Sequence, residues 1–120
     1  MSRNSILKSG IIIAILLIGG AWLVLRGYKQ PPANLDEFAQ CLAQKSATMY
    51  GAYWCSVCKE EKKAFDNSFR FVPYVECTAE PQKCLDAGIK GYPTWIFPDG
   101  RKFEGLQGIE KLSQESGCPL

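Results

Sequence analysis

The feature that most constrains this chain is a pair of cysteines, Cys55 and Cys58. They lie where the spacing of apolar residues changes from that of a strand to that of a helix. An apolar strand pattern precedes the pair and a helical pattern follows it. Two cysteines separated by two residues at such a junction can close and reopen a disulfide. Further along the chain, Pro93 can lie beside the pair and shape the surface where a partner's sulfur arrives. This combination predicts thiol–disulfide exchange.

The two cysteines are expected to play different roles. Cys55 lies at the helix entrance, where the free N–H groups and dipole of the first turn stabilise a thiolate. We expect its sulfur to be exposed and to act as the nucleophile. Cys58, one helical turn further, is expected to be buried beneath it as the resolving thiol. The alternatives are a four-cysteine zinc or iron–sulfur site and a purely structural disulfide.

Composition removes several other classes of chemistry. The chain has no histidine, which excludes a histidine general base, a Cys–His nucleophile and a mixed Cys/His zinc site. We therefore expect neither a metal nor a cofactor. The net charge of +2 comes from scattered lysines and arginines, which argues against a nucleic-acid partner. Six cysteines in 120 residues are more typical of an oxidising compartment than of the cytosol.

The N-terminal segment has the character of a membrane anchor. Residues 10–25 are uncharged and mostly aliphatic, and the apolar stretch extends to residues 6–26, about 20 residues or ~30 Å of helix. Trp22 and Tyr28 suit an interfacial aromatic position. The alternative is a cleaved signal peptide with its small-residue site at residues 19–21.

This reading divides the chain into parts. Residues 1–9 are expected to begin the chain in the cytoplasm, followed by the transmembrane anchor at residues 6–26 and a stiff Pro-containing linker at residues 27–33. Residues 34–120 then form one small domain. The cysteine content favours placing that domain on the extracytoplasmic side, in the periplasm of a bacterium.

The periodicity of the domain predicts an α/β fold. Helix, strand, helix, strand, helix, a hairpin and a last helix follow one another, which implies a central mixed sheet flanked by helices. Lys59 to Lys63, including Glu61, are expected to be solvated on the second helix. The predicted elements are helices at residues 34–45, 55–69, 81–87 and 109–116 and strands at residues 47–53, 70–77, 94–98 and 101–104.

Two segments carry a family resemblance. The sequence YWCSVCK at residues 53–59 and GIKGYPT at residues 88–94 resemble the thioredoxin fold, over roughly residues 34–120. The resemblance implies a cis peptide between Tyr92 and Pro93, packed against the cysteine pair.

Further segments are similar to one branch of that family. Residues 49–55, 62–65 and 74–77 are similar to the thioredoxin-like domain fused to bacterial homologues of vitamin K epoxide reductase. Those membrane enzymes pass electrons from such a domain to a quinone. The resemblance therefore implies a free-standing, tethered redox domain whose partner is a vitamin K epoxide reductase-like membrane protein.

Departures from the family pattern bear on the direction of the reaction. Met49 stands where thioredoxins carry a buried aspartate, which removes a proton acceptor for Cys58. Ser56 and Val57 lie between the cysteines, and Ser56 can donate a hydrogen bond to the Cys55 thiolate, which makes the disulfide more oxidising. We expect an oxidase of protein substrates. The alternatives are a reductant, for example in cytochrome c maturation, and a non-catalytic module with structural disulfides.

The other cysteines are expected to form structural disulfides. Predicted proximity favours Cys77–Cys84 and Cys41–Cys118, although six cysteines allow fifteen pairings. The alternatives are buried free thiols and, for Cys77 and Cys84, a second redox pair that relays electrons to the first.

Aromatic residues adjoin the reactive segments in sequence. Trp54 next to Cys55 and Tyr92 next to Pro93 are expected to form an apolar rim that docks substrates.

Overall fold

The computed structural model describes Gly19 and residues 34–120, and Asn34–Leu120 forms one compact unit. The predicted cytoplasmic segment at residues 1–9, anchor at residues 6–26 and linker at residues 27–33 lie outside the described residues, apart from Gly19. Within the described part of the chain, no helix is both long enough and apolar enough to cross a bilayer.

The described residues form a mixed α/β fold with helices around a four-stranded sheet. The strand order is β2-β1-β3-β4, with β1 parallel to β2 and antiparallel to β3, and β3 antiparallel to β4. In chain order the elements are α1 (Asp36–Gln44), β1 (Thr48–Gly51), α2 (Ser56–Phe65), a 3-10 helix (Asp66–Phe71), β2 (Tyr74–Glu76), α3 (Pro81–Asp86), β3 (Thr94–Ile96), β4 (Lys102–Glu104) and α4 (Ile109–Ser116). The predicted order of helices and strands and the mixed sheet are confirmed.

The largest deviation from the predicted elements lies after α2. The helix expected to reach residue 69 ends at Phe65, and Asp66 has a positive φ of 48° that breaks the α-helical path. A 3-10 helix takes the chain on to Phe71. Strand β2 therefore starts only after Pro73, whose carbonyl accepts a hydrogen bond of 2.9 Å from the Met49 N–H of β1.

Smaller deviations occur at the ends of other elements. Helix α1 begins at Asp36 rather than at the predicted residue 34, and Leu35 is its N-cap residue. The Asn34 carboxamide oxygen instead accepts a hydrogen bond of 2.8 Å from the Asp36 N–H. Strand β1 covers Thr48–Gly51, which is shorter than the predicted 47–53.

The core lies between the sheet and the helices and fixes α2 in place. Phe65 of α2 stacks on Phe38 of α1 with ring centroids 5.8 Å apart, and it packs on Trp95 of β3 at 6.0 Å. Burial of such a side chain contributes about 1.5–3 kcal/mol. Met49 of β1 and Leu112 of α4 complete the same core. The end of α2 opposite Phe65, which carries the cysteine pair, is thereby held against the sheet.

Candidate active site

Cys55 is the N-cap residue of α2, with extended backbone angles of φ −73° and ψ 115°. Its sulfur accepts a hydrogen bond of 3.1 Å from the backbone N–H of Cys58. This contact satisfies one of the free N–H groups of the first turn. The predicted donor was the Ser56 hydroxyl, whereas the described residues present the Cys58 amide.

The prediction that Cys55 is exposed is wrong for this structure. Only 7% of the residue is accessible to solvent. The sulfur turns back towards the helix end to accept the Cys58 amide, which draws it under the surface.

Cys58 is fully buried on the inner face of α2. Burial, together with a hydrogen bond to Cys55, raises the pKa of the Cys58 thiol to about 11, and the charge of Lys62 opposes this rise. Gly51 makes room for the sulfur, because a Cβ at that position would lie 3.1 Å from Cys58 Sγ. Cys58 is therefore a sheltered thiol that stays protonated at neutral pH.

Pro93 lies at the same end of the sheet as the cysteine pair. The peptide between Tyr92 and Pro93 is cis. The register of β1 and β3 pairs Tyr50 with Thr94, so the residues that follow β1 and precede β3 leave the sheet side by side. The Pro93 carbonyl accepts a hydrogen bond of 2.8 Å from the Gly105 N–H, which ties this segment to the chain after β4.

The predicted aromatic rim forms a contact across the two segments. The rings of Trp54 and Tyr92 meet edge to face, with centroids 5.9 Å apart and planes at 75°. Trp54 is 59% exposed, and its neighbour Tyr53 is 68% exposed. Large exposed aromatics next to a buried nucleophile present an apolar surface to an incoming polypeptide.

Glu76 is a site residue that the sequence reasoning missed. Its carboxylate accepts hydrogen bonds from the Tyr53 N–H at 3.1 Å, the Tyr74 hydroxyl at 2.7 Å and the Thr78 hydroxyl at 2.7 Å. Burial favours the protonated acid, but the bonds from Tyr74 and Thr78 outweigh it and lower the pKa of Glu76. The structure brings Glu76 here because β2 lies parallel to β1 and β1 leads directly to the cysteine pair, which no local sequence pattern indicates.

Glu61 was predicted to be solvated, and this prediction is wrong. The residue is fully buried, and its carboxylate accepts hydrogen bonds from the backbone N–H groups of Gln107 at 2.8 Å and Gly108 at 3.1 Å. It thus holds the start of α4 against α2. The helical spacing carried the signal, because Glu61 lies three residues after Cys58 and four before Phe65, on the buried face.

The remaining four cysteines are bonded in two pairs. Cys41 of α1 joins Cys118, with Cα atoms 5.8 Å apart, and Cys77 joins Cys84 of α3, with Cα atoms 5.7 Å apart. Within the described part of the chain, Cys55 and Cys58 are the cysteines that remain free. These pairings leave no set of four free cysteines for the alternative zinc or iron–sulfur site.

One curated relative bears on this site. The chain is 36% identical over 91 residues to the thiol-disulfide oxidoreductase LTO1 of Arabidopsis thaliana. The alignment covers 68% of this chain but 24% of the relative, so the chain spans about a quarter of that protein's length. No family model matches the chain.

Proposed function

We propose that this protein exchanges disulfides with protein substrates through Cys55 and Cys58. The observation that carries the proposal is the hydrogen bond from the Cys58 N–H to Cys55 Sγ at the N-terminus of α2. When a client is oxidised, its thiolate attacks Cys55 Sγ of the Cys55–Cys58 disulfide, so that a mixed disulfide forms and Cys58 leaves as a thiolate that takes up a proton. In the reverse direction Cys55 attacks a client disulfide, and Cys58, one turn below, then attacks Cys55 and releases the client sulfur.

Trapping of mixed disulfides tests this mechanism. Cys58→Ala removes the resolving thiol, so we expect client proteins to accumulate as adducts on Cys55 that disappear on reduction. The matched control is Cys55→Ala, which keeps Cys58 and is expected to trap nothing. Equal labelling of both variants, or no adducts on Cys58→Ala, would contradict the exchange mechanism.

The proposed direction is oxidation of substrates, with the pair recharged by a quinone-linked membrane protein of the vitamin K epoxide reductase type. The similarity of residues 49–55, 62–65 and 74–77 to domains fused to such enzymes supports this partner. The amide bond to Cys55 supports the direction, because a stabilised thiolate makes the disulfide more oxidising. Oxidation of reduced ribonuclease, compared with reduction of insulin, measures the direction.

The reduction potential of the Cys55–Cys58 pair decides between oxidase and reductant. A value near about −120 mV suits a strong oxidant, whereas a value near about −270 mV suits a thioredoxin-like reductant. Equilibration with glutathione buffers gives the reduction potential. A potential near that of a thioredoxin-like reductant would contradict the oxidase direction.

We also propose that residues 6–26 anchor the domain on the extracytoplasmic side of a membrane. The apolar sequence of this segment and the two structural disulfides support the proposal. Membrane fractionation with labelling by an impermeant maleimide in intact cells tests it. Recovery of the chain in a soluble fraction, or labelling only after lysis, would count against the anchor or the orientation.

A further inference from the structure

Exchange at the cysteine pair requires a proton to move at a buried sulfur. Cys58 begins the resolving step as a thiol, and in the reverse direction it takes a proton back. Its sulfur is fully enclosed. Met49 of β1 belongs to the same buried core as Cys58, and its thioether accepts no proton. Some other group must connect Cys58 with solvent. The inference below rests on the proposed function and concerns that group.

Gly51 lies close to the side chains of both Cys58 and Tyr74 of β2. A Cβ on Gly51 would lie 3.1 Å from Cys58 Sγ and 3.2 Å from the Tyr74 hydroxyl oxygen. The sulfur and the phenol oxygen therefore border the same small space, left free by the missing side chain. The strand register also pairs Gly51 with Glu76, which brings a carboxylate to this end of β2.

The Tyr74 hydroxyl connects this space with the surface. It donates a hydrogen bond of 2.7 Å to Glu76 Oε2, and its own lone pairs remain able to accept a proton. The other carboxylate oxygen of Glu76 accepts from Thr78 and from the Tyr53 amide, in hydrogen bonds that lie at the exposed surface. A phenol and a carboxylate thus lead from the buried sulfur to water.

Burial and the negative groups around Tyr74 keep it a neutral donor, against the positive charge of Lys62. Lys62 of α2 lies over the ring, with Nζ 3.6 Å from the centroid, and the apolar Phe69 of the 3-10 helix packs at 5.7 Å. Glu76 faces the hydroxyl from β2, and the two cysteines of the site face it from α2. Burial and the bond to Glu76 raise the pKa of Tyr74 above its ordinary value, so the phenol stays protonated at neutral pH.

We propose that the Tyr74 hydroxyl carries the proton between Cys58 and Glu76 each time the Cys55–Cys58 disulfide closes or opens. On closing, the Cys58 proton passes to the phenol oxygen while the phenol proton passes to Glu76, which releases it to water. The Cys58 thiolate attacks Cys55 Sγ. The bond between Cys55 and the client sulfur breaks, and that sulfur leaves as a thiolate with the electron pair. Opening runs the same transfers in reverse.

A pH-jump experiment on the full chain isolates this step. Reduced protein reacts with 5,5′-dithiobis(2-nitrobenzoate) at acidic pH, where attack by Cys58 is slowest, to give an adduct on Cys55. A jump to about pH 7 raises the small thiolate fraction of Cys58 and so accelerates its attack, and the released thionitrobenzoate is followed by absorbance. We expect Tyr74→Phe to slow this release about a hundredfold, at the lower end of the range of about 10²–10⁴ for general acid–base effects. The loss shrinks as pH rises, because hydroxide replaces the carrier.

Two further variants separate proton transfer from packing. Glu76→Gln still accepts the Tyr74 hydrogen bond but takes up no proton, so it is expected to slow release as Tyr74→Phe does. Tyr50→Phe removes a phenol from the adjacent strand β1 and is expected to match the wild type.

The outcomes distinguish the proton carrier from the proposed function. Release from Tyr74→Phe within twofold of the wild type, or slowed by one factor at every pH, would overturn the proton carrier alone. A normal rate in Glu76→Gln would overturn the carboxylate end of the path. Failure of wild-type Cys55 to form the adduct would overturn the proposed function and this inference together.

Discussion

The two disulfide-bonded, or closed, pairs are Cys41–Cys118 and Cys77–Cys84, and the free pair is Cys55 and Cys58. They differ in which parts of the chain they connect rather than in how deeply they are buried. Cys77 of a closed pair is 4% exposed and Cys55 of the free pair is 7% exposed. The Cys41–Cys118 bridge joins residues 77 apart in sequence, whereas Cys55 and Cys58 lie within one helical turn. Only Cys55 has its sulfur at a helix N-terminus with a backbone amide directed at it. Position at the helix end, not accessibility, therefore distinguishes the free cysteine pair from the bonded pairs here.

The largest expected effect comes from removing the nucleophile of the free pair. Cys55→Ser leaves a hydroxyl that cannot form a disulfide, so exchange is expected to fall to the uncatalysed background. Insulin reduction and ribonuclease oxidation assays measure the loss. The unfolding free energy is expected to stay within about 0.5 kcal/mol of the wild type, because the bonded pairs remain. Residual exchange above background would show that a closed pair also reacts.

The next largest effect is on stability and concerns the long closed bridge. The double variant Cys41→Ala/Cys118→Ala is expected to lose about 4.5 kcal/mol of unfolding free energy, because a loop of 77 residues is no longer closed in the unfolded chain. Urea denaturation measures this loss.

The short closed bridge is the matched control. Cys77→Ala/Cys84→Ala opens a loop with a sequence separation of 7 and is expected to lose about 2.5 kcal/mol. The folded fraction of each double variant keeps its exchange rate. A loss of exchange without a loss of stability in Cys77→Ala/Cys84→Ala would favour the alternative of a redox relay.

Substitution of Glu61 tests whether α2, the helix that carries Cys58, is stabilised independently of the two disulfides. Glu61→Ala leaves the buried N–H groups of Gln107 and Gly108 without their acceptor, so we expect a loss of about 1–3 kcal/mol in unfolding free energy. Urea denaturation with all disulfides intact measures it. A loss below about 0.5 kcal/mol would show that the loop finds other partners.

The same carboxylate gives stability a pH dependence. Burial raises the pKa of Glu61, and the bonds from Gln107 and Gly108 oppose this without cancelling it. The folded state therefore binds the proton more tightly than the unfolded chain does. The contribution of Glu61 to the unfolding free energy consequently falls as pH rises above its unfolded value of about 4.3. Glu61→Gln does not titrate, so the difference in unfolding free energy between the wild type and this variant should change across this pH range. Parallel curves for the two would contradict the prediction.

The sequence predicted the order of elements because each helix and strand carries its own periodicity. The last helix, Ile109–Ser116, was predicted to the residue, since Gly108 and Gly117 bound it with positive φ angles. The 3-10 helix after Phe65 was not predictable in this way. Its aromatic residues suit a strand or an α-helix equally well, and the contact between Phe69 and Phe65 that accompanies the turn forms only in the folded state.

The same distinction holds for the candidate site. The chemistry of Cys55 and Cys58 follows from local spacing, whereas their partners come from elsewhere in the chain. Glu76 approaches Tyr53 only because β2 lies parallel to β1, and the sequence does not state that register. The burial of Cys55 likewise depends on which donor its sulfur finds.

The smallest expected effect concerns the surface around the free pair. Trp54→Ala removes an exposed ring that meets Tyr92 edge to face, and truncation of such an aromatic anchor weakens binding by about 1–2 kcal/mol. We expect the KM for a protein client to rise about tenfold. The rate with a small disulfide reagent stays within about twofold, because that reagent needs no docking surface. An equal fall with both substrates would mean that Trp54 supports Cys55 itself, and the aromatic rim would then belong to the site's packing rather than to client recognition.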